Sequence, residues 1–183
     1  MKHPKCGAKA SSKLNQPEKQ IERQEIAVRY LFKTNMKDEK KVKIKIFAVV
    51  MRGEGDDVEK DNIRITSEGI MTFKNNRVEI CYDEIMGEDG HAQNILSFDP
   101  NEPNIVTLER SGAVSCVMTF SENGRYGGLY NMGFASFDFT VATKRISNGL
   151  TFEKGGLLFL DYNTEIQGVA MQTSRFRFDI SVI

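Results

Sequence analysis

Ile105-Val106-Thr107-Leu108-Glu109-Arg110, then Val114-Ser115-Cys116-Val117-Met118-Thr119-Phe120, then Arg125-Tyr126-Gly127-Gly128-Leu129-Tyr130 is the stretch on which the fold turns. The second and third runs flank Ser121-Glu122-Asn123-Gly124, where Asn-Gly accepts the positive φ values of a tight hairpin. The three runs read as consecutive antiparallel strands. The device recurs near the C-terminus, where Leu150-Thr151-Phe152-Glu153 and Leu157-Leu158-Phe159-Leu160-Asp161-Tyr162 flank Lys154-Gly155-Gly156. Phe176, Phe178 and Ile180 alternate with Arg175, Arg177 and Asp179, which gives that strand one apolar and one charged face.

Working upstream, Arg77–Glu84 reads as another strand, Asn75-Asn76 as a hairpin turn, and Ile63-Arg64-Ile65-Thr66 as extended chain. In Lys41–Arg52, Val42, Ile44 and Ile46 alternate with lysines, which fits a solvent-facing or edge strand. Residues 41–183 are therefore expected to form one closed or nearly closed antiparallel sheet, an all-β, barrel-type domain.

A chain of 183 residues holds one domain of ordinary size, and the portion after residue 40 can bury a core without staples. Three cysteines, Cys6, Cys81 and Cys116, make an odd number in a chain that needs no disulfides. The start, Met1-Lys2-His3-Pro4-Lys5, lacks the apolar stretch of a secretory signal, and no apolar run approaches the ~18 residues of a membrane span. The cytoplasm is the expected compartment, with no membrane partner.

The net charge of zero is unevenly divided, since residues 1–45 carry thirteen Lys or Arg against five Asp or Glu. A basic arm precedes an acidic body. Such an arm attracts phosphates, but it has little aromatic interleaving beyond Tyr30 and Phe32, so nucleic-acid binding is the weaker reading and a solubilising extension the stronger. Within residues 1–40, Met1–Gln16 reads as disordered, Pro17 opens a helix over Glu18–Phe32, and Asn35–Lys40 reads as linker. Val28, Leu31 and Phe32 give that helix an apolar end able to close a barrel mouth, lie on a sheet or meet a second subunit, so a homodimer is compatible with it.

No catalytic or metal set emerges, and no cofactor is expected. Asp56, Asp57, Glu59 and Asp61 lack the register of a twelve-position calcium loop. His91 has acidic neighbours but no nucleophile, and reads as a loop residue. Cys81 and Cys116 sit within strand-like runs and read as small packing units. Ser111-Gly112-Ala113 is no hydrolase elbow, and Gly53-Glu54-Gly55 and Gly127-Gly128 lack nucleotide-loop spacing.

Tyr82-Asp83-Glu84, Val106–Phe120, Tyr130-Asn131-Met132-Gly133 and Lys154–Tyr162, in that order, resemble the YwiB-like family of bacterial proteins of unknown function. The resemblance covers about Lys41–Ile183 and implies a calycin-like, lipocalin-type antiparallel β-barrel, preceded here by the N-terminal helix. It brings no activity, substrate or catalytic residues. On its pattern the arginine before a glycine falls at Arg110, the tyrosine and acid of the third strand at Tyr82 and Glu84, and the late tyrosine at Tyr162. The chain departs from the pattern at Tyr130-Asn131-Met132-Gly133, where members tend to carry Tyr-x-Thr-Pro-x-Gly.

Such a barrel admits two main functions. In one the interior is filled, Glu84 and Arg110 form an ordinary ion pair, and the protein is a structural or protein-interaction domain; this is the favoured expectation. In the alternative a small, largely apolar molecule enters, oriented by Tyr82, Glu84, Arg110, Tyr130 and Tyr162 and lined by Met118, Phe120, Phe137, Phe139, Phe159, Phe176 and Phe178. An enzyme is the weakest reading, with Glu84, His91 and Arg110 as its candidates.

Overall fold

The period-two alternation becomes a barrel wall. In the computed structural model, which describes residues 38–53, 57–86, 90–166 and 169–183, the strands in chain order are β1 (Asp38–Arg52), β2 (Glu59–Lys74), β3 (Arg77–Met86), β4 (Gly90–Asp99), β5 (Glu102–Gly112), β6 (Cys116–Phe120), β7 (Arg125–Asn131), β8 (Ser136–Asn148), β9 (Gly155–Ile166) and β10 (Val169–Val182). Every hydrogen-bonded pair is antiparallel, and the sheet runs β6-β5-β4-β3-β2-β1-β10-β9-β8-β7. Its two outer strands, β6 and β7, meet where Ser115 and Asn131 exchange hydrogen bonds of 2.8 and 2.9 Å. The result is a nearly closed up-and-down barrel. The expected helix over Glu18–Phe32 and the basic arm lie outside the described residues.

Val42, Ile44, Ile46, Ala48 and Val50 of β1 point inward and are buried, while Lys41, Lys43 and Lys45 face solvent. This strand is no edge: β2 and β10 pair with it on either side, with Val42 opposite both Gly69 and Val182. Its lysines thus mark the wet face of a central strand. β1 also begins at Asp38, within the stretch read as linker. Phe176, Phe178 and Ile180 of β10 face the interior, and Arg175 and Arg177 lie outside, Arg175 pairing with Asp161 at 3.0 Å. Mid-strand charges outside and apolar residues inside invert the pattern of a transmembrane barrel. Among the described residues no helix is long and apolar enough to cross a membrane.

The turns follow their local chemistry. Asn75 and Asn76 take φ of 51° and 59°, the two-residue turn that suits the right-handed twist of β2 and β3. Asn123 takes φ 56° between β6 and β7. At the third turn the expectation needs correction, because Leu150–Glu153 is not a strand. The strand partner of β9 is β8, which ends at Asn148, and residues 149–154 form the connection. Gly155 there has φ 77°, and a Cβ would strike the Ile180 carbonyl. His91 lies in β4 opposite Ile85, not in a loop.

The barrel interior is packed unevenly. Toward the Asn75-Asn76 end, Val42, Ile44, Met71, Ile80, Leu96, Val106 and Leu158 are wholly buried. Burying each such side chain stabilises the fold by about 1.5–3 kcal/mol. Toward the opposite end the wall splits. β2 pairs with β1 along its full length but with β3 only from Gly69 to Lys74, and β3 beyond Tyr82 pairs with β4 alone. Gly69 permits the close crossing at the vertex, since a Cβ would meet the Cys81 carbonyl and lie 2.9 Å from Ile44 Cδ1. Just above it Ser67 Oγ donates to the Asp83 carbonyl at 2.9 Å.

Candidate functional site

The split end contains a cavity of about 410 Å³, bordered by residues of all strands except β4. It is large enough for about a dozen waters at roughly 30 Å³ each. Barrel diameter grows with strand number, and eight strands already enclose a space that side chains just fill. Ten strands leave volume over. Phe120, Tyr162, Phe176 and Phe178 form its aromatic floor. Phe120 meets Tyr162 edge-on at 4.9 Å, Phe176 stacks on Tyr162 at 6.0 Å, and Phe178 stacks on Phe176 at 6.0 Å.

The polar side of the cavity is one rung of the barrel. Strand register sets Tyr82 opposite Asn94, Asn94 opposite Arg110, and Arg110 opposite Cys116. One step inward from the Ser115–Asn131 bridge, the same antiparallel register brings Cys116 opposite Tyr130. Glu84, two residues beyond Tyr82, shares its inward face.

Arg110 is the hub of this rung. Its Nη2 donates to Glu84 Oε2 in an ion pair whose side chains are only 21% and 15% exposed. Its Nε donates to Asn94 Oδ1 at 3.0 Å, and Asn94 Nδ2 donates to Glu84 Oε2 at 3.4 Å. A guanidinium carries five N–H groups, and Nη1 has no hydrogen-bond partner among the described residues. The fully buried Asn94 thus locks both charged groups.

Burial pushes the Tyr82 phenol well up, reinforced by the nearby Glu84 carboxylate. Tyr162 is pushed up to about 12 by burial, with its hydrogen bond to Ser174 pulling the other way. Burial also raises Tyr130 and Cys116, Arg110 opposing the shift in both. Near neutral pH the cavity therefore presents protonated phenols and a protonated thiol, groups that donate hydrogen bonds instead of attacking as nucleophiles.

All five residues singled out from the sequence, Tyr82, Glu84, Arg110, Tyr130 and Tyr162, border this one cavity, with Met118, Phe120, Phe139, Phe176 and Phe178. Glu84 and Arg110 form the ion pair expected of them, and side chains do not fill the interior around it. Phe159 is not part of the lining: it alternates with Leu158 and Leu160 and lies under Arg145 on the outer face, 5.9 Å from guanidinium to ring. Phe137 is on the inward face opposite Tyr130 but outside the lining. His91 is exposed and outward, so the structure does not join it to Glu84 and Arg110. Asn94 escaped the sequence reading, although a polar residue within the alternating set Ala92, Asn94, Leu96 and Phe98 was its available signal.

A crevice of about 400 Å³ lies at the packed end, between Pro100, Pro103 and residues 148–153 at the end of β8 and in the connection after it. Phe152 there is already engaged by Phe73 at 5.9 Å and by the Lys40 ammonium at 4.4 Å. Its two asparagines are already engaged, Asn76 Nδ2 donating to Asp99 Oδ1 and Asn148 Nδ2 to the Pro103 carbonyl, each at 2.8 Å. Among the described residues no cluster of His, Cys, Asp or Glu is arranged to hold a metal ion.

Residues 44–178 match the family described as Domain of unknown function (DUF1934). The crystal structure of ywiB protein from Bacillus subtilis is similar in fold, with a TM-score of 0.64 and 22% identity, over 81% of this chain and 97% of that chain. That likeness agrees with the resemblance carried by Tyr82–Glu84, Val106–Phe120 and Lys154–Tyr162. No curated protein matches the chain. The family carries no assigned activity, which is compatible with a structural or interaction role.

Proposed function

We propose that this chain, which belongs to the DUF1934 family of domains of unknown function, binds a small, largely apolar molecule inside the split end of its barrel. The observation that carries the reading is the cavity of about 410 Å³, with an aromatic floor on one side and a single rung of polar residues on another. Small-molecule sites combine an apolar lining with a few fixed polar groups, in volumes of ~300–1,000 Å³. Up-and-down barrels of the calycin-like, lipocalin type use eight strands around such a space, and this barrel uses ten. In this reading Tyr82, Arg110, Tyr130 and Tyr162 orient the ligand, and Glu84 holds Arg110 in place. The free thiols Cys81 and Cys116 fit a reducing, cytoplasmic compartment.

A second reading, the interaction domain, is favoured by Val117 and Leu129, 52% and 63% exposed and brought opposite each other on the outer face of the β6–β7 seam. Native mass spectrometry of the freshly purified chain separates the two. A co-purifying small mass that is released on denaturation and lost in Arg110→Met supports the binding barrel. A ligand-free spectrum, unchanged after incubation with apolar compounds and showing a dimer that Leu129→Glu dissociates, overturns it in favour of an interface between copies.

A further inference from the structure

We infer that the molecule taken by the barrel presents an uncharged hydrogen-bond acceptor, such as an amide, ester or ketone carbonyl, to the open Nη1 edge of Arg110, and that the site discriminates against carboxylates of the same length. The inference rests on the binding reading above and adds the chemical class of the ligand's polar end.

Three observations lead to it. Arg110 is inside the barrel with its charge already neutralised, because Glu84 pairs with Nη2 while Asn94 takes Nε. What remains facing the cavity is the donor capacity of a charged group without its net charge. The other polar groups at this level, Tyr82, Tyr130 and Cys116, are neutral donors, and among the described residues neither tyrosine hydroxyl has a hydrogen-bond partner. The site is therefore rich in donors and supplies no uncompensated cation. The remaining charged group of the lining, Arg52, is at the mouth, where it pairs with Asp61 and donates to Gln172 at 3.2 Å with its side chain about half exposed.

A carboxylate reaching Nη1 would come within the ~4–6 Å over which the Glu84 carboxylate repels it, in a space shielded from water. It would also lose its hydration shell without gaining an unpaired counter-charge. A carbonyl oxygen takes the same N–H groups and loses far less on leaving water. A hydrogen bond to a charged donor adds about 1.5–3 kcal/mol, and losing it through like-charge repulsion corresponds to about ten- to a hundredfold in affinity.

The test uses the full chain at pH 7 and two probes matched in length, decanamide and decanoate, titrated by calorimetry. Decanamide is expected to bind about tenfold or more tightly than decanoate. Glu84→Gln, which leaves Arg110 uncompensated, is expected to raise decanoate affinity by at least about tenfold and so erase or reverse the preference. Circular dichroism establishes that the variant is folded; should it not fold, the wild-type ratio alone decides. Tighter binding of decanoate by the wild type, or a ratio that a folded Glu84→Gln variant leaves unchanged, overturns the inference while the binding reading stands. Failure of both probes to bind the wild type overturns the binding reading and this inference with it.

Discussion

The two ends of the barrel are built by the same strands and differ in what fills them. At the packed end Ile44, Met71, Ile80, Leu96 and Leu158 close the interior completely. At the split end β2, β3, β5, β6 and β9 carry Ile65, Tyr82, Arg110, Met118 and Tyr162 around a space of about 410 Å³. The difference lies partly in the wall, since β2 loses β3 as a neighbour beyond Gly69 while keeping β1. It lies also in the residues, because polar groups that need fixed partners cannot interdigitate as aliphatic ones do. One end contributes stability, and the other forgoes part of it by leaving a cavity unfilled.

The contrast is testable by mutation. Leu96→Ala, in the packed end, should cost about 2–5 kcal/mol in urea unfolding, because it opens a new hole in a close-packed core. Met118→Ala, on the cavity wall, should cost distinctly less, since its removal enlarges a space that already exists. Equal losses at the two sites would mean that the cavity is collapsed in solution.

The aromatic floor between the ends gives a pH-dependent version of the same test. Tyr162 is raised to about 12 in the fold from the ordinary 10. The neutral phenol is thus the form the fold prefers, so the unfolded chain loses its proton first as pH rises. The stabilisation is complete below about pH 10 and is lost between about pH 10 and 12, amounting to about 3 kcal/mol at most. Stability measured from pH 8 to 11.5 should fall less steeply in Tyr162→Phe than in the wild type. Identical slopes would place water against the Tyr162 hydroxyl and break the division at that floor.

The smallest expected effect compares an inner with an outer ion pair. Glu84→Ala strands Arg110 inside the barrel and should cost about 1–3 kcal/mol. Glu165→Ala, which breaks the Arg125–Glu165 pair of 2.8 Å on the outer face, should stay within about 1 kcal/mol and lose its effect in high salt. Thermal melts of both variants with and without added salt make the comparison.

Much of the wall was legible in the chain. Val42, Ile44 and Ile46 point inward and their lysine neighbours outward, as alternation requires, and Asn75-Asn76 makes the turn its side chains favour. The third turn misled because Leu150-Thr151-Phe152-Glu153 has strand-like composition, yet Leu150 and Phe152 serve to plug the barrel end. The lysines of β1 suggested an edge because charge guards edges, but charge equally suits the wet face of a central strand. Of the site, the five residues could be named from pattern and resemblance; Asn94 is marked in the chain only as a polar residue among inward apolar ones, and its link between Glu84 and Arg110 depends on the register of β3, β4 and β5.

Local sequence by itself fixes the all-β class, the turns at Asn75-Asn76 and Asn123-Gly124 and the inward faces of β1 and β10, because side-chain period and turn φ are properties of a few adjacent residues. It leaves β4 and β8 unread and makes Leu150–Glu153 look like a strand. Tertiary structure alone decided that β1 meets β10, that β2 parts from β3 above Gly69, and that Tyr82, Asn94, Arg110, Cys116 and Tyr130 share one rung. It also decided that a cavity remains. Register across distant strands, and the difference between the volume a ring of ten strands encloses and the volume its side chains occupy, are sums over the whole barrel that no local stretch contains.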